Sequence, residues 1–469
     1  MSAQHINFLL NKLRFTLVLI AFSSIPFASS TFAQGLHSAP IIITGSLITP
    51  ILRYPLASYR VFHSSPSGKA TIIPFQIDEI NDTGDFVLDQ GSNITSDTGN
   101  RIFDAQDELS FMGDDVGPVV EPTIWPTKKP HIVFELRVRH PVKNPMGAQM
   151  GAVYVGIYFG GAPELSKKKY VVFNRAEAQV QTSRYRYKFD QKNWLVASNV
   201  EVSVNDKEPV QYEKILDSTT FYMKGDLKYF ITVEANHRSI ESELEAWKSG
   251  PIRSIVRVTF HYSLLKLKLE LGMFTEISFF SNSVSLPAVM YSPIDGQKSL
   301  NAGSGMYYGL AFHDNPSEYA IESNMNPFVP NSPGAAAELL KSGKNFLGNL
   351  IGNKPEPMPS NGLYWISLQG KNRTMFFEIT PSPELQGTGL APTFYRENIA
   401  ASELAIRSND LISPLGKSPV NVGIWLDATK ISDGEHSIGF RLFFENVLAP
   451  ERLEVFKGLH DWLYEVRRI

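Results

Sequence analysis

The stretch Arg184-Tyr185-Arg186-Tyr187-Lys188-Phe189 decides the fold class of this chain. Three cations alternate in it with three aromatic residues. Successive side chains of a β-strand point to opposite faces of a sheet, whereas a helix repeats its faces every 3.6 residues. The stretch therefore predicts a strand with one buried, aromatic face and one charged face in solvent.

The same alternation recurs along most of the chain. It is present at residues 134–139, 265–271 and 437–444, and short apolar runs stand between these segments. Burial on one face only is typical of antiparallel sheets. Many short strands with few helical windows predict an all-β protein, an antiparallel β-sandwich or a large super-sandwich, with a few peripheral helices.

Two segments have helical periodicity. Residues 450–463 begin with Pro450 and Glu451 and place apolar side chains, Leu463 last among them, on one stripe, which predicts a C-terminal helix docked on a core. Residues 335–351 have a broad apolar face between proline-rich flanks. This second segment fits a helix packed across a sheet, a lid over a cleft or an amphipathic surface helix.

Composition limits the class of protein. The chain has 469 residues, 43% of them hydrophobic and 19% charged, with net charge −3 and no cysteine. This balance excludes the strongly basic surface of a nucleic-acid-binding protein, and the lack of cysteine excludes disulfides and thiolate chemistry. The chain divides into a signal peptide (1–33), an N-terminal β domain with an acidic loop (34–165), a central antiparallel β-sandwich (166–300) and a C-terminal β region containing both helices (301–469).

The first 33 residues have the pattern of a secretory signal. Lys12 and Arg14 precede an apolar stretch at residues 15–27, and Ala33 is a small residue at a cleavage position before Gln34. No later stretch reaches the roughly 18 consecutive apolar residues of a membrane-spanning helix. We therefore expect a periplasmic or extracellular protein without a transmembrane segment after cleavage. The alternative is that the uncharged stretch anchors the chain in a membrane.

Residues 76–115 carry the strongest charge anomaly, with eleven acids and one base. Within this segment Asp78, Asn81, Asp82 and Asp85 place oxygen ligands close together, with a glycine for a sharp turn. Hard cations such as calcium are bound by several carboxylate and carbonyl oxygens. The segment predicts a calcium site, calcium being the one cofactor expected. The alternative is a solvated acidic loop built from Asx turns.

Two flanks of the acidic segment carry a family resemblance. Ile73-Pro74-Phe75-Gln76-Ile77-Asp78 and Asp107-Glu108-Leu109-Ser110-Phe111-Met112 resemble the P-x-Q-x-D and D-E-L-x-F pair near the start of some secreted bacterial β-sandwich proteins. Some of those proteins are associated with, or belong to, polysaccharide lyases that act on uronic-acid sugars. The resemblance covers about 40 of the 469 residues, and residues 81–85 with a longer insert replace the usual D-G-D-G link. It implies an extracytoplasmic sandwich.

Candidate catalytic residues are a His or Tyr base with a cation to neutralise a sugar carboxylate, as a lyase requires. The sequence offers His237, Arg238, Tyr262, Tyr307 and His313. These side chains act together only if the fold brings them into one cleft. The alternative for each is a strand-end side chain with local hydrogen bonds.

Three functional hypotheses follow. The leading one is an exported, non-catalytic β-sandwich protein that binds a glycan or a cell-envelope partner, an acidic glycan or an envelope protein being the expected partner. The second is a polysaccharide-active, lyase-like enzyme acting on acidic sugars, and the third is a structural component of a surface assembly. The cationic face formed by Arg184, Arg186 and Lys188 is either a surface for an acidic polymer or a solvated strand face.

Overall fold

Antiparallel strands dominate the structure, which confirms the predicted all-β sandwich class. Among the described residues, the strands are accompanied by one short helix, α1 (Gly296–Ser299), and several 3₁₀ turns. No helix among the described residues is long and apolar enough to cross a membrane. The computed structural model describes residues 19–21, 39–92, 101–139, 150–205, 209–228, 231–236, 240–264, 267–292, 294–313, 320–323, 364–370, 373–383, 385, 390–396, 420–445 and 463–469.

The strands are numbered in chain order. They are β1 (Leu19–Ala21), β2 (Pro40–Thr44), β3 (Tyr59–Ser64), β4 (Ala70–Ile72), β5 (Phe75–Asp78), β6 (Gln90–Gly91), β7 (Glu108–Met112), β8 (Ile132–Arg139), β9 (Met150–Ile157), β10 (Val171–Asn174), β11 (Gln179–Thr182), β12 (Tyr185–Asp190), β13 (Asn193–Ser203), β14 (Tyr212–Leu227), β15 (Ile231–Asn236), β16 (Ile240–Ser249), β17 (Ser254–Leu264), β18 (Leu267–Phe279), β19 (Ser283–Ser292), β20 (Gly305–Phe312), β21 (Ala320–Ser323), β22 (Tyr364–Gln369), β23 (Thr374–Pro381), β24 (Leu390–Arg396), β25 (Val420–Asp427), β26 (Gly434–Glu445) and β27 (Leu463–Arg468).

The first sandwich contains residues 40–157 and the C-terminal strand. One layer has the order β2–β7–β5, and the other has the order β27–β8–β9–β3–β4. Its core lies between the layers, where Ile43 and Phe111 of the first layer join Leu136 and Val155 of the second. Each layer therefore buries the apolar face that its alternating sequence provides.

The second sandwich is larger. One layer runs β10–β11–β12–β13–β14–β20–β25–β24, and the other runs β6–β16–β17–β18–β19–β26–β23–β22–β21. Aromatic residues fill the space between them, because Tyr187 of β12 lies 5.1 Å from Phe279 of β18 and Tyr308 of β20 stacks on Phe440 of β26 at 4.8 Å between ring centroids. The domain boundary expected near residue 300 lies between β19 and β20. These two strands belong to the two layers of this sandwich.

Strand β12 has the two faces that its sequence predicts. Tyr185, Tyr187 and Phe189 are at most 3% exposed, whereas Lys188 is exposed and Arg186 is partly exposed. The inward side chains of residues 134–138 and 438–444 are also buried, but Glu135 and Phe443 on the opposite faces are buried as well. Residues 267–279 form β18 as expected, although the side chains of residues 265–271 lie outside the described part of the chain.

The predicted C-terminal helix is wrong at its last position, Leu463. Leu463, placed by the sequence on the helical stripe, begins strand β27, which pairs with β8. Tyr464 and Val466 pack on the core of the first sandwich, and Glu465 between them is exposed. This short alternation is a strand pattern that overlaps the last position of the helical stripe. Residues 451–462 and 335–351 lie outside the described residues.

Candidate functional site

A groove with a volume of about 550 Å³ lies on the outer face of the second sandwich. Its floor is the solvent side of strands β10, β11 and β12, and the beginning of β14 forms one wall. Most of its side chains are polar or aromatic. The lining residues are Lys169, Tyr170, Val172, Asn174, Glu177, Gln179, Gln181, Thr182, Ser183, Arg186, Pro209, Val210 and Tyr212.

Strand register places the groove's polar side chains side by side. Gln181 of β11 lies opposite Val172 of β10 and Arg186 of β12. In the next outward-facing row, Gln179 lies between Asn174 and Lys188. Directly opposite residues of antiparallel strands have Cβ atoms about 4.5–5.5 Å apart, so these side chains form a continuous polar surface.

Arg186 is held against an aromatic wall of the groove. Its Cζ lies 4.0 Å from the centroid of the Tyr212 ring. The Tyr212 hydroxyl donates a hydrogen bond to the carbonyl oxygen of Thr182, which fixes the ring. Nη1 of Arg186 lies 3.5 Å from Oε2 of Glu201, and the Arg186 side chain remains 37% exposed. Stacking thus orients the guanidinium plane and leaves part of its edge open to solvent.

The two glutamines bring free hydrogen-bonding capacity to the floor. Within the described part of the chain, neither the Gln179 nor the Gln181 side-chain amide has a hydrogen-bond partner, and Gln181 is exposed. Each amide has two N–H donors and one carbonyl acceptor. The floor therefore offers donors and acceptors together to a ligand with many hydroxyls.

The opposite wall is fixed by the first sandwich. The Tyr170 hydroxyl donates to Oδ2 of Asp115 at 2.8 Å, and Lys168 Nζ lies 4.2 Å from the centroid of the Tyr170 ring. Burial, together with this hydrogen bond to Asp115, raises the pKa of Tyr170 well above its ordinary value. The phenol therefore stays protonated, and its ring is held in place at the rim of the groove.

The acidic segment serves first as a contact between the sandwiches. Asp78 is fully buried, with Arg253 Nε at 2.6 Å from Oδ2 and Lys248 Nζ at 2.8 Å from Oδ1. Burial by itself raises the pKa of Asp78, but Arg253, Lys248 and a hydrogen bond from Gln76 together lower it to about 2. The carboxylate is thus charged and paired with two cations of the second sandwich.

The motif residues around Asp78 complete this network. Glu108 lies directly opposite Asp78 in the β5–β7 pair, and its Oε2 lies 2.6 Å from Nη2 of Arg253. Gln76 Oε1 accepts hydrogen bonds from the backbone N–H of Ile252 and Arg253 at 3.2 and 3.1 Å. The residues that carry the family resemblance therefore bind the turn between β16 and β17.

The remaining predicted calcium ligands form a tight turn. Asn81 Oδ1 accepts hydrogen bonds from the backbone N–H groups of Thr83 and Asp85 at 3.0 and 2.9 Å, and Gly84 has φ +89°. No group of three or more His, Asp or Glu side chains in the described ranges is arranged to hold a metal ion. Calcium binding by Asp78, Asn81, Asp82 and Asp85 stays a prediction, tested by whether calcium raises the melting temperature.

Comparison with protein-family models and with curated protein sequences gives no match. Among solved structures, the chain is similar to an alpha-mannosidase from Enterococcus faecalis V583, with a TM-score of 0.42 and 9% identity, covering 96% of this chain and 47% of that one. It is also similar to a glycosyl hydrolase family 38 protein from Enterococcus faecalis, with a TM-score of 0.41 and 8% identity, covering 96% and 48% of the two chains. The chain spans about half the length of these solved structures.

Tyr307 and His313, two of the predicted catalytic residues, lie near opposite ends of strand β20. The Tyr307 ring lies over Gly309 and Gly423, where a Cβ on Gly309 would stand 2.2 Å from the Tyr307 hydroxyl oxygen. His313 follows β20, and its Nδ1 lies 2.8 Å from Oδ1 of Asp217. The six residues from Tyr307 to His313 span about 20 Å of extended chain. The two side chains therefore lie in different places, Tyr307 on the glycine pair and His313 beside Asp217.

The other catalytic candidates lie where side chains are not described. Tyr262 is in β17 opposite Ile240, and the side chain of Tyr262 is outside the described part of the chain. His237 and Arg238 fall in residues 237–239, also outside it. A common cleft for these three residues stays a prediction.

Sequence reasoning missed Gln179, Gln181 and Tyr212 as groove residues. The alternation of Gln179 and Gln181 with buried Val180 is visible in the sequence and signals an outward-facing polar pair. Tyr212 carries no such signal, because it reaches Arg186 only through the pairing of β12, β13 and β14.

Proposed function

We propose that this protein is an exported, non-catalytic glycan-binding protein whose binding site is the groove on β10, β11 and β12. The observation that carries the proposal is the groove itself, about 550 Å³ in volume. It is lined by the Gln179 and Gln181 amides, which have no hydrogen-bond partner among the described residues, beside an arginine stacked on tyrosine. Small-molecule sites of this size, about 300–1,000 Å³, combine apolar faces with a few placed polar groups.

Sugar chemistry matches these side chains. A sugar ring presents hydroxyls that both donate and accept, and the Gln179 and Gln181 amides supply both partners. The flat faces of Tyr170 and Tyr212 offer apolar area for the C–H surface of a ring, with their hydroxyls already engaged by Asp115 and Thr182. Because the walls are fixed before a ligand arrives, binding orders few additional side chains.

The exposed surface in and beside the groove suits a polymer. Val172 on its floor is 51% exposed, and Lys188 continues the cationic face of β12 beyond the lining residues. Export rests on the signal pattern of residues 1–33 and would place this surface where extracellular or envelope glycans occur. N-terminal sequencing of the protein recovered from the exported fraction tests that part, with Gln34 as the expected first residue.

The binding test uses the full chain and a panel of immobilised plant and bacterial polysaccharides, both neutral and acidic. We expect at least one polysaccharide to be retained, and the double variant Gln179→Ala/Gln181→Ala to weaken its binding by at least about tenfold, since it removes two hydrogen-bonding groups. Gln106→Ala, an exposed glutamine on the first sandwich, is the matched control and should bind as the wild type does. Retention of no polysaccharide, or equal binding by the double variant, would refute the proposal.

A further inference from the structure

We infer that the groove selects glycans that carry carboxylate groups, and that Arg186 is the residue that recognises the carboxylate. This inference rests on the proposed glycan binding and adds the chemical class of the sugar. A uronic-acid residue has the same ring as a neutral hexose, with a carboxylate in place of the terminal CH₂OH group. Discrimination between the two therefore needs a cation held at a fixed place beside the ring-binding groups.

Arg186 meets this geometric requirement. Its guanidinium is stacked on Tyr212, and Tyr212 is in turn fixed by its hydrogen bond to Thr182. Stacking occupies the face of the guanidinium and leaves the in-plane N–H donors as its binding groups. Gln181 is the direct cross-strand neighbour of Arg186, so a ring bound by the glutamine amide brings its substituents to the guanidinium.

Among the described residues, the Arg186 guanidinium makes only a long contact with a carboxylate. The Glu201 carboxylate lies 3.5 Å from Nη1, well beyond the 2.7–2.9 Å of a charge-assisted hydrogen bond. Glu201 also accepts a hydrogen bond from Asn199 Nδ2 at 3.0 Å. Nε of Arg186 is buried and has no hydrogen-bond partner in the described part of the chain, so a ligand carboxylate would be bound by the Nη groups. Their contact with Glu201 is long, and a ligand carboxylate would supply a shorter one.

The surrounding charges favour an anion. The lining residues include two cations, Lys169 and Arg186, and one acid, Glu177. Lys188 adds a third positive charge on the same outward face of β12. Both a carboxylate and a tetrahedral oxyanion such as a sulfate ester can accept two parallel hydrogen bonds from the guanidinium fork. The carboxylate is the more basic anion and is therefore the stronger hydrogen-bond acceptor. The stacked arginine thus favours uronic acids over sulfated sugars.

The experiment measures binding of the full chain to three oligosaccharides of equal length. They are an oligogalacturonate, its carboxyl-reduced neutral form, and a sulfated galactose oligomer. We expect the oligogalacturonate to bind at least about tenfold more tightly than the other two, and Arg186→Gln to remove that preference. Arg186→Lys, which keeps the charge and loses the fork, should retain only part of it. Lys192→Gln removes the same charge from the exposed turn after β12, outside the lining residues, and should change binding by less than about threefold.

Each outcome separates the inference from the proposed function. Equal binding of the acidic and neutral oligomers, or an equal loss for both in Arg186→Gln, overturns carboxylate selection and leaves glycan binding intact. Tighter, Arg186-dependent binding of the sulfated oligomer also overturns it. Binding of none of the three, and of no other polysaccharide, refutes the proposed function itself. Melting curves of the variants show whether a loss of binding comes from unfolding.

Discussion

At the scale of single residues, Arg253 holds the two sandwiches together. Its side chain is 3% exposed and pairs with Asp78 and Glu108, while its Cζ lies 4.6 Å from the centroid of the Phe86 ring. Arg253→Met keeps much of the side-chain volume but leaves two buried carboxylates with one less cation. We expect the free energy of unfolding to fall by about 3–5 kcal/mol, because breaking a buried ion pair leaves uncompensated charge.

Chemical denaturation measures this loss, and an exposed pair provides its control. Lys298 pairs with Asp295 at 2.8 Å, but its side chain is 81% exposed, and solvent screens such pairs strongly. Lys298→Met should therefore leave the denaturation midpoint nearly unchanged. Similar midpoints for the two variants would mean that Arg253 contributes no more than a surface cation.

Glu378 gives the stability a dependence on pH. Its side chain is 3% exposed, and burial raises its pKa to about 7 although Arg441 and Thr380 lower it. In the unfolded chain a glutamate ionises near pH 4.5, so between about pH 4.5 and 7 the folded state holds a proton that the unfolded state has lost. The free energy of unfolding therefore falls as pH rises through this window and stays lower above it.

Glu378→Gln tests this sign, because glutamine is neutral at every pH. Relative to the wild type, the variant should gain stability between pH 5 and pH 8, by up to about 3 kcal/mol. Glu276, whose pKa burial also raises to about 7, leaves a pH dependence in both proteins. The relevant quantity is thus the difference between the two denaturation curves, and a difference that does not change with pH contradicts the assignment.

At the scale of secondary structure, sequence alternation predicts elements well where one face is fully buried. Tyr185, Tyr187 and Phe189 lie on one side of β12 because the core between the layers needs their aromatic area. The same reasoning fails at Leu463, where one apolar residue fits both a helical stripe and a short strand. There the pairing with β8, more than 300 residues earlier, decides the structure.

The groove illustrates why candidate sites are harder to predict than strands. Outward positions such as Gln179, Gln181 and Arg186 follow from strand alternation alone. Their proximity depends on the register of β10, β11 and β12, and the walls depend on Tyr212 and Asp115, which are distant in sequence. In the acidic segment, the charge anomaly was visible, but the partners of Asp78 on the second sandwich were not.

At the scale of the whole molecule, the first sandwich combines strands from residues 40–157 with one strand at residues 463–468. Strand β27 is the edge of its five-stranded layer and pairs with β8 from Arg139 to Phe134. Arg467 Nε lies 3.0 Å from Oε1 of Glu135, which is 1% exposed. Pairing residues so distant in sequence costs loop-closure entropy, which the contacts of β27 must offset.

Deletion of residues 463–469 should therefore destabilise the first sandwich selectively. It exposes the edge of β8, removes the packing of Tyr464 and Val466 on the core, and takes one cation from buried Glu135. We expect residues 39–139 to become the first region cut in limited proteolysis, while the strands of the second sandwich stay protected, and an exposed edge strand should promote aggregation.

Arg468→Gln, an exposed change on the same strand, is the control and should leave the cleavage pattern unchanged. If the deleted chain is cut no faster than the control, the pairing of β27 with β8 does not stabilise the first sandwich.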